Sequence, residues 1–262
     1  MHKRGQVTIF AIIGIIIIVL VVLFLFVRDR VYIGPATQQD LETELIPIQE
    51  HIEECLLKNA EPRLIEIGKN GGYLTPAANT YRLYNGDTVS YLCYNIKDKD
   101  YCRPRVLRIK DMEEQLEEAL KRDLGSCINV QAFRKIGTNL QSGQLALDIV
   151  IGEDGVTVNA NLPVKISKGD SFAEIKDHFV NIEVPLGRLY DAMRDVVNAE
   201  ATNGDFDWLL YSAAKTQLTN KLYYVTRADQ PYPDKFYMLT IKDFPNQEGS
   251  YIFQFFVEGE PR

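Results

Sequence analysis

Four cysteines, three histidines and three short acidic clusters are the side chains of this 262-residue chain with the chemistry to bind metal, exchange electrons or move protons. Their spacing decides how much of that chemistry is open to them. Cys55, Cys93, Cys102 and Cys127 are even in number; in an oxidising compartment they make two disulfides, for which three pairings exist. The segment CYNIKDKDYC suits a local loop closed by Cys93 and Cys102, which leaves Cys55 and Cys127 to tie two helix ends together. Structural zinc is the competing use, but no pair has the close spacing of about two to four intervening residues that such sites take. His51 and Cys55 stand i, i+4 on one helix face beside Ile48 and Ile52. That setting predicts a core-facing cysteine with a histidine at its solvent margin.

His178 is the one histidine placed to serve as a general base, in a Ser-His-Asp device of scattered members. No nucleophile elbow, zinc-protease motif, phosphate loop or dinucleotide fingerprint accompanies it. The acidic clusters 98–100, 152–155 and 205–207 carry carboxylates suited to calcium, yet none has the spaced ligands of a full loop. Asp-rich turns and a helix N-cap account for them more simply. No catalytic residue, cofactor or metal site is therefore expected, and the expectation is a protein that is not an enzyme. An extracytoplasmic hydrolase is the remaining enzymatic reading. The tyrosine-rich stretches TYRLY, YLCYN, LYYV and PYPDKFY suit either an aromatic face for a glycan or protein, or half-buried sheet packing. The second is the plainer expectation. No N-x-[ST] sequon occurs.

Where this chemistry resides depends on the opening MHKRGQVTIFAIIGIIIIVLVVLFLFVRDR. Gln6 to Val27 contains no charge; as a helix it extends roughly 33 Å, enough to cross a hydrocarbon core of about 30 Å. Its exit is bulky and charged, unlike the small residues of a signal-peptidase site, so a retained anchor is expected. Lys3 and Arg4 precede the run, while Asp29 and an acidic segment dilute Arg28 and Arg30. The positive-inside bias then places the N-terminus in the cytoplasm and the remainder outside, single-pass in the lipid bilayer through residues 6–27. Net charge is −7; Lys3 and Arg4 contribute +2, leaving −9 elsewhere. So acidic a remainder excludes nucleic acid as the expected partner.

The elements that must position these residues read as α+β. After a stalk at 31–39, residues 40–127 form a helix-rich, cysteine-containing region and 128–262 an α+β region with an antiparallel sheet. Apolar residues at 41, 45, 48, 52, 55, 56 and 60 predict an amphipathic helix that Pro47 and Pro62 each restart or kink and that Asn70-Gly71-Gly72 ends. Asn85-Gly86 between alternating runs predicts a hairpin. DMEEQLEEALKRDLG predicts a helix capped by Asp111, closed by Gly125 and solvated along its glutamates. Residues 145–162 predict a half-buried hairpin turning at 153–155, with FVNIEV as a third strand. Two helices follow, the second capped by Asp205 or Asp207, and then the strands KLYYVT, FYMLTI and SYIFQFFV. The expected architecture is antiparallel strands with helices packed on one face.

The start KRGQVTIFAIIG resembles that of uncharacterised archaeal membrane proteins with a type IV pilin-like signal. The resemblance covers about the first 75 residues and extends to HIEECLLKNAEPRLIEIGKNGGYL; it implies cleavage between Gly5 and Gln6 on the cytoplasmic side, with the apolar helix kept. Phe10 stands where many such pilins carry glutamate, which favours an anchor over a filament core. The leading expectation is a membrane-anchored surface protein whose ectodomain binds or scaffolds a protein or glycan partner. A pilin-like filament subunit is the alternative.

Overall fold

A computed structural model describes residues 15–22, 38–96, 102–229, 231–242 and 251–259. Residues 15–22 form an apolar helix whose side chains are each 51 to 64% exposed. The rest of the apolar run, the Gly5-Gln6 pair and residues 31–37 of the stalk lie outside the described residues. Among the described residues no helix is long and apolar enough to cross a membrane.

The first sheet begins where the sequence signal is strongest. Asn85 and Gly86 adopt φ of 49° and 91°, the left-handed pair that lets a two-residue turn match strand twist, and they join β1 (Tyr81–Tyr84) to β2 (Asp87–Asn95). β3 (Cys102–Pro104) pairs with the far end of β2, opposite Cys93 to Asn95. The sheet is completed by β8 (Leu222–Ala228), β9 (Lys235–Lys242) and β10 (Ile252–Val257), in the order β1-β2-β10-β9-β8. β10 runs parallel to β2, so the sheet is mixed where an antiparallel one was expected. The reason is non-local: β10 enters between β2 and β9, far from β2 in sequence, and strand alternation carries no information about which way a distant partner runs.

The second sheet is antiparallel: β4 (Asn139–Ser142) and β5 (Ala146–Ile151) pair with successive halves of β6 (Val156–Lys168), and β7 (Ser171–Ile182) pairs along its length. FVNIEV marks only the end of β7. Val156, Val158, Ala160 and Leu162 face inward as the alternation predicts. Between Asn161 and Val164 the register shifts, so Leu162 and Pro163 oppose a single residue of β7. Proline donates no ladder hydrogen bond, and a bulge is one of the few interior places that accommodates it.

The two sheets meet on one helix, α1 (Gln38–Lys69). It packs on β7 and β6 of one sheet, on β10 and β2 of the other, and on α2 (Ile109–Cys127) beside it. The predicted apolar positions are all buried, and Leu64 and Ile67 continue the stripe. Pro47 and Pro62 do not divide it, contrary to expectation. An interior proline costs about 3 kcal/mol, but both lie on the exposed side, where the carbonyls they strand can reach water. Against this, α1 buries seven Leu and Ile side chains, each contributing about 1.5–3 kcal/mol. Packing outweighs propensity.

At its end α1 closes on β10: the Tyr251 hydroxyl donates to the Leu64 carbonyl at 2.7 Å, and a Cβ on Gly68 would sit 2.4 Å from the Ile252 carbonyl oxygen. Only glycine fits there. α2 starts two residues before Asp111, which is not the N-cap; Asp111 lies in the first turn and accepts from the Arg108 amide at 3.2 Å. α2 also runs past Gly125 to Cys127, as a lone glycine with open space around it allows. α3 (Leu186–Asn203) packs on β10, β9, β2 and β3, and α4 (Trp208–Thr219) on β8 alone among the strands with extensive helix contact.

Cys55 is bonded to Cys127 and Cys93 to Cys102, closing loops with sequence separations of 72 and 9. Restricting the unfolded chain stabilises more for the longer loop, about 4 kcal/mol against about 2.5 kcal/mol. Replacing Cys55 and Cys127 together by alanine is therefore expected to lower unfolding stability by more than replacing Cys93 and Cys102. Denaturant titration of the two double variants checks the order.

Candidate functional site

The chemistry-bearing residues turn out to be bound into the framework. His178 is 1% exposed on β7, with its Nε2 3.2 Å from the Leu162 carbonyl. A carbonyl only accepts, so Nε2 carries the proton, and the ring supplies a partner to the peptide that the β6 bulge displaces. Its Nδ1 is buried without a hydrogen-bond partner. His51 sits against the Phe133 ring at 5.2 Å, and its nearest sulfur belongs to the Cys55 disulfide. Among the described residues no group of three or more His, Cys, Asp or Glu is placed to hold a metal ion.

The acidic clusters divide similarly. In 152–155, Asp154 takes a two-pronged bond from Arg188 at 2.6 and 2.8 Å and a third from Lys221 at 2.6 Å; Glu153 pairs with Arg188 at 2.8 Å. These bonds pin the β5–β6 turn to the start of α3 and of β8. Hydrogen bonding from Arg188 above all holds the Asp154 carboxyl down, to about 2. In 205–207, Asp205 pairs with Arg227 at 2.6 Å, and Asp207 is the N-cap of α4, accepting from the Leu210 amide. The cluster 98–100 lies outside the described residues.

Sequence reasoning missed a buried carboxylate. Glu200, 2% exposed in the last turn of α3, accepts a very short hydrogen bond from the Tyr237 hydroxyl and one at 2.6 Å from Lys235. Lys235 also donates to the Gly204 carbonyl at 2.6 Å, satisfying the helix end with a cation. Burial, reinforced by Glu200, pushes the Tyr237 phenol well above its ordinary range. Most of the tyrosine-rich stretches are likewise packing. Tyr237 and Tyr223 are buried, and Tyr84 and Tyr91 cover Val89, Phe236 and Phe256 on the opposite face of the first sheet, while Tyr81, Tyr224 and Tyr232 are exposed. The Tyr91 hydroxyl donates to buried Asp234; burial first and Asp234 second push it up to about 12.

Two shallow polar clefts run along the exposed side of α1. One, of about 330 Å³, is lined by Lys58, Asn59, Arg63, Glu66, Asp123 and Ser126. Three of its charged groups are paired with each other: Arg63 lies 2.8 Å from Glu66 and 2.9 Å from Asp123. It presents a polar groove without a deep, dry centre.

The surface that is not accounted for by the framework is α4. β8 is the last strand of its sheet, so alternate amides point away from β9 and need acceptors. α4 supplies them with side chains: the Ser212 hydroxyl accepts from the Val225 amide at 3.1 Å, and the Thr216 hydroxyl from the Tyr223 amide at 3.0 Å. Lys215 and Tyr211 also turn inward, both to Asp195. The helix thus directs its polar side to the protein, and none of its 12 residues is buried. Leu209, Leu210 and Leu218 stand 63, 67 and 81% exposed, with Ala213, Ala214 and Gln217 between them also exposed. The sequence signal was present in Ser212 and Thr216 at i, i+4, but a reading that assigns polar positions to solvent inverts the helix. This arrangement can bind a complementary surface; it brings no reacting group to it. No family model, curated protein or solved structure matches the chain.

Two outcomes are expected. Asp154→Asn costs under about 1 kcal/mol at neutral pH, since the pair is partly solvated. Because the folded carboxyl lies below its unfolded value, its contribution is fully present above about pH 4 and fades toward pH 2; melting curves of variant and parent should converge there. Ser212→Ala leaves the Val225 amide without its acceptor and costs about 1–2 kcal/mol, read as lower stability with faster hydrogen exchange at Val225.

Proposed function

We propose that this chain is a single-pass, N-terminally anchored extracytoplasmic protein, of the archaeal surface type its start resembles, whose α+β domain binds or scaffolds a protein partner outside the cell. The observation that carries the reading is that all four cysteines, which lie beyond the apolar run in sequence, are paired as disulfides. Such bonds persist in oxidising compartments and are rare in a reducing cytosol. The uncharged run Gln6–Val27 after Lys3 and Arg4 supports an anchor with its N-terminus inside. A binding role is supported by α4, which offers solvent an apolar face, and by the absorption of His178, Asp154, Asp205 and Glu200 into structural bonds.

Protease added to intact cells is expected to digest the region after residue 38 while membrane fractionation leaves the chain in the pellet. A domain fully protected until the membrane is opened, or a chain released by an alkaline wash, overturns the assignment. The start KRGQVTIF favours one further reading, a pilin-like filament subunit built on the same apolar segment. Intact-mass measurement of the native chain separates the two: loss of residues 1–5 is the result the filament reading requires, and a retained Met1–Gly5 removes its support.

A further inference from the structure

The two disulfides differ in what surrounds their sulfurs. Cys93 and Cys102 are 0 and 5% exposed, and among the described residues no histidine bonds to either. At the other bond Cys55 is buried on α1, while Cys127, the last residue of α2, is only half-buried. One turn before Cys55, the His51 ring rests against Phe133 and brings its Nε2 to 3.8 Å from the Cys55 sulfur. One turn after it, Asn59 donates to the Cys55 carbonyl at 2.8 Å. Asn59 also lines the cleft of about 330 Å³, together with Ser126, the chain neighbour of Cys127. Positions 51, 55 and 59 share one line of α1, so the bond lies between a histidine ring and an open polar cleft. We propose that the Cys55–Cys127 bond is a thiol–disulfide exchange site, opened at Cys127 by a small hydrophilic thiol entering from this cleft, with His51 protonating the departing Cys55.

Exchange requires a thiolate to attack one sulfur while the other leaves. Three features give the two sulfurs different parts. Cys127 belongs to the less buried residue of the pair. It also ends a helix, where the negative pole of the peptide dipoles disfavours a thiolate, so it is the poorer leaving group. Cys55 has His51 beside its sulfur, and an adjacent imidazolium favours the thiolate. In the first step the incoming thiolate forms a bond to the Cys127 sulfur and the Cys127–Cys55 bond breaks. The electron pair stays on Cys55, which takes a proton from the protonated His51 ring; His51 regains one from solvent. In the second step another thiolate of the reductant attacks its own sulfur in the mixed disulfide, and Cys127 leaves and is protonated by water. The reductant ends as a disulfide, and its two electrons reside on the two cysteines. The product frees the end of α2 from α1. The cleft is polar and shallow, which suits a small hydrophilic thiol. The chemistry is the same on either side of a membrane, so it does not rest on the topology proposed for the chain.

The test is reduction of the purified full chain in detergent with dithiothreitol, quenched with acid at intervals, unfolded, alkylated and mapped by peptide mass. Cys55 and Cys127 are expected to gain label several-fold faster than Cys93 and Cys102. His51→Ala and the closer-sized His51→Gln should each slow that reaction several-fold and leave the rate at Cys93 and Cys102 unchanged. The sign separates chemistry from packing, because a variant that merely loosens α1 exposes the bond and speeds its reduction. Equal rates at the two disulfides, or earlier opening of Cys93–Cys102, overturn the exchange site. Opening of Cys55–Cys127 in both His51 variants as fast as in the parent, or faster, overturns the role given to His51. A bond opened by a reduced dithiol protein and not by dithiothreitol overturns the small thiol as its reductant.

Discussion

The apolar stripe of α1 is the contact on which the other elements depend. Leu41, Leu45 and Ile48 near its start through to Leu64 and Ile67 at its end form one continuous buried line, and both sheets and α2 pack against the helix that carries it. A sheet with one apolar face must cover it, and here two sheets share a single cover. That sharing explains why the helix tolerates two prolines, why Gly68 must lack a side chain where Ile252 approaches, and why the longer disulfide is anchored at Cys55, within the buried stripe. Loosening α1 would uncover both sheets at once.

Edges are the second constraint. β8 and β5 each end a sheet, and helix side chains serve amides on both: Ser212 and Thr216 on β8, and Glu113 at the end of β5, where it accepts from the Ile151 amide at 2.9 Å. Glu113 was expected on a solvated face and instead is nearly buried. These bonds remove exposed donors that would otherwise template further strands. His178 does the converse at the bulge around Leu162 and Pro163, where its ring donates to a carbonyl.

What was legible in the sequence follows from range. The Asn85-Gly86 turn, the α1 stripe, the inward side of β6 and the Asp207 cap are set by residues a few positions apart, so periodicity and turn chemistry reach them. The pairing of Cys93 with Cys102 was suggested by short spacing, and that of Cys55 with Cys127 then followed as the remainder. The parallel partnership of β2 and β10, the burial of Glu200 against Tyr237, and the pairing of Asp154 with Arg188 join residues far apart in sequence. No local pattern announces them. Pro47 and Pro62 misled for a related reason: helix propensity is a local quantity, and tertiary burial overrode it.

The inversion of α4 shows how such non-local demands decide which side of a helix meets solvent. Leaving the Tyr223 and Val225 amides unsatisfied would cost about 1–3 kcal/mol each, which is sufficient reason for Ser212 and Thr216 to face inward. It is no reason for Leu209, Leu210 and Leu218 to face outward. At their exposures these side chains bury little area on folding, and lysine or glutamate there would preserve the helix at almost no cost in propensity. Three leucines around two alanines on an otherwise acidic domain therefore answer to something the fold itself does not require.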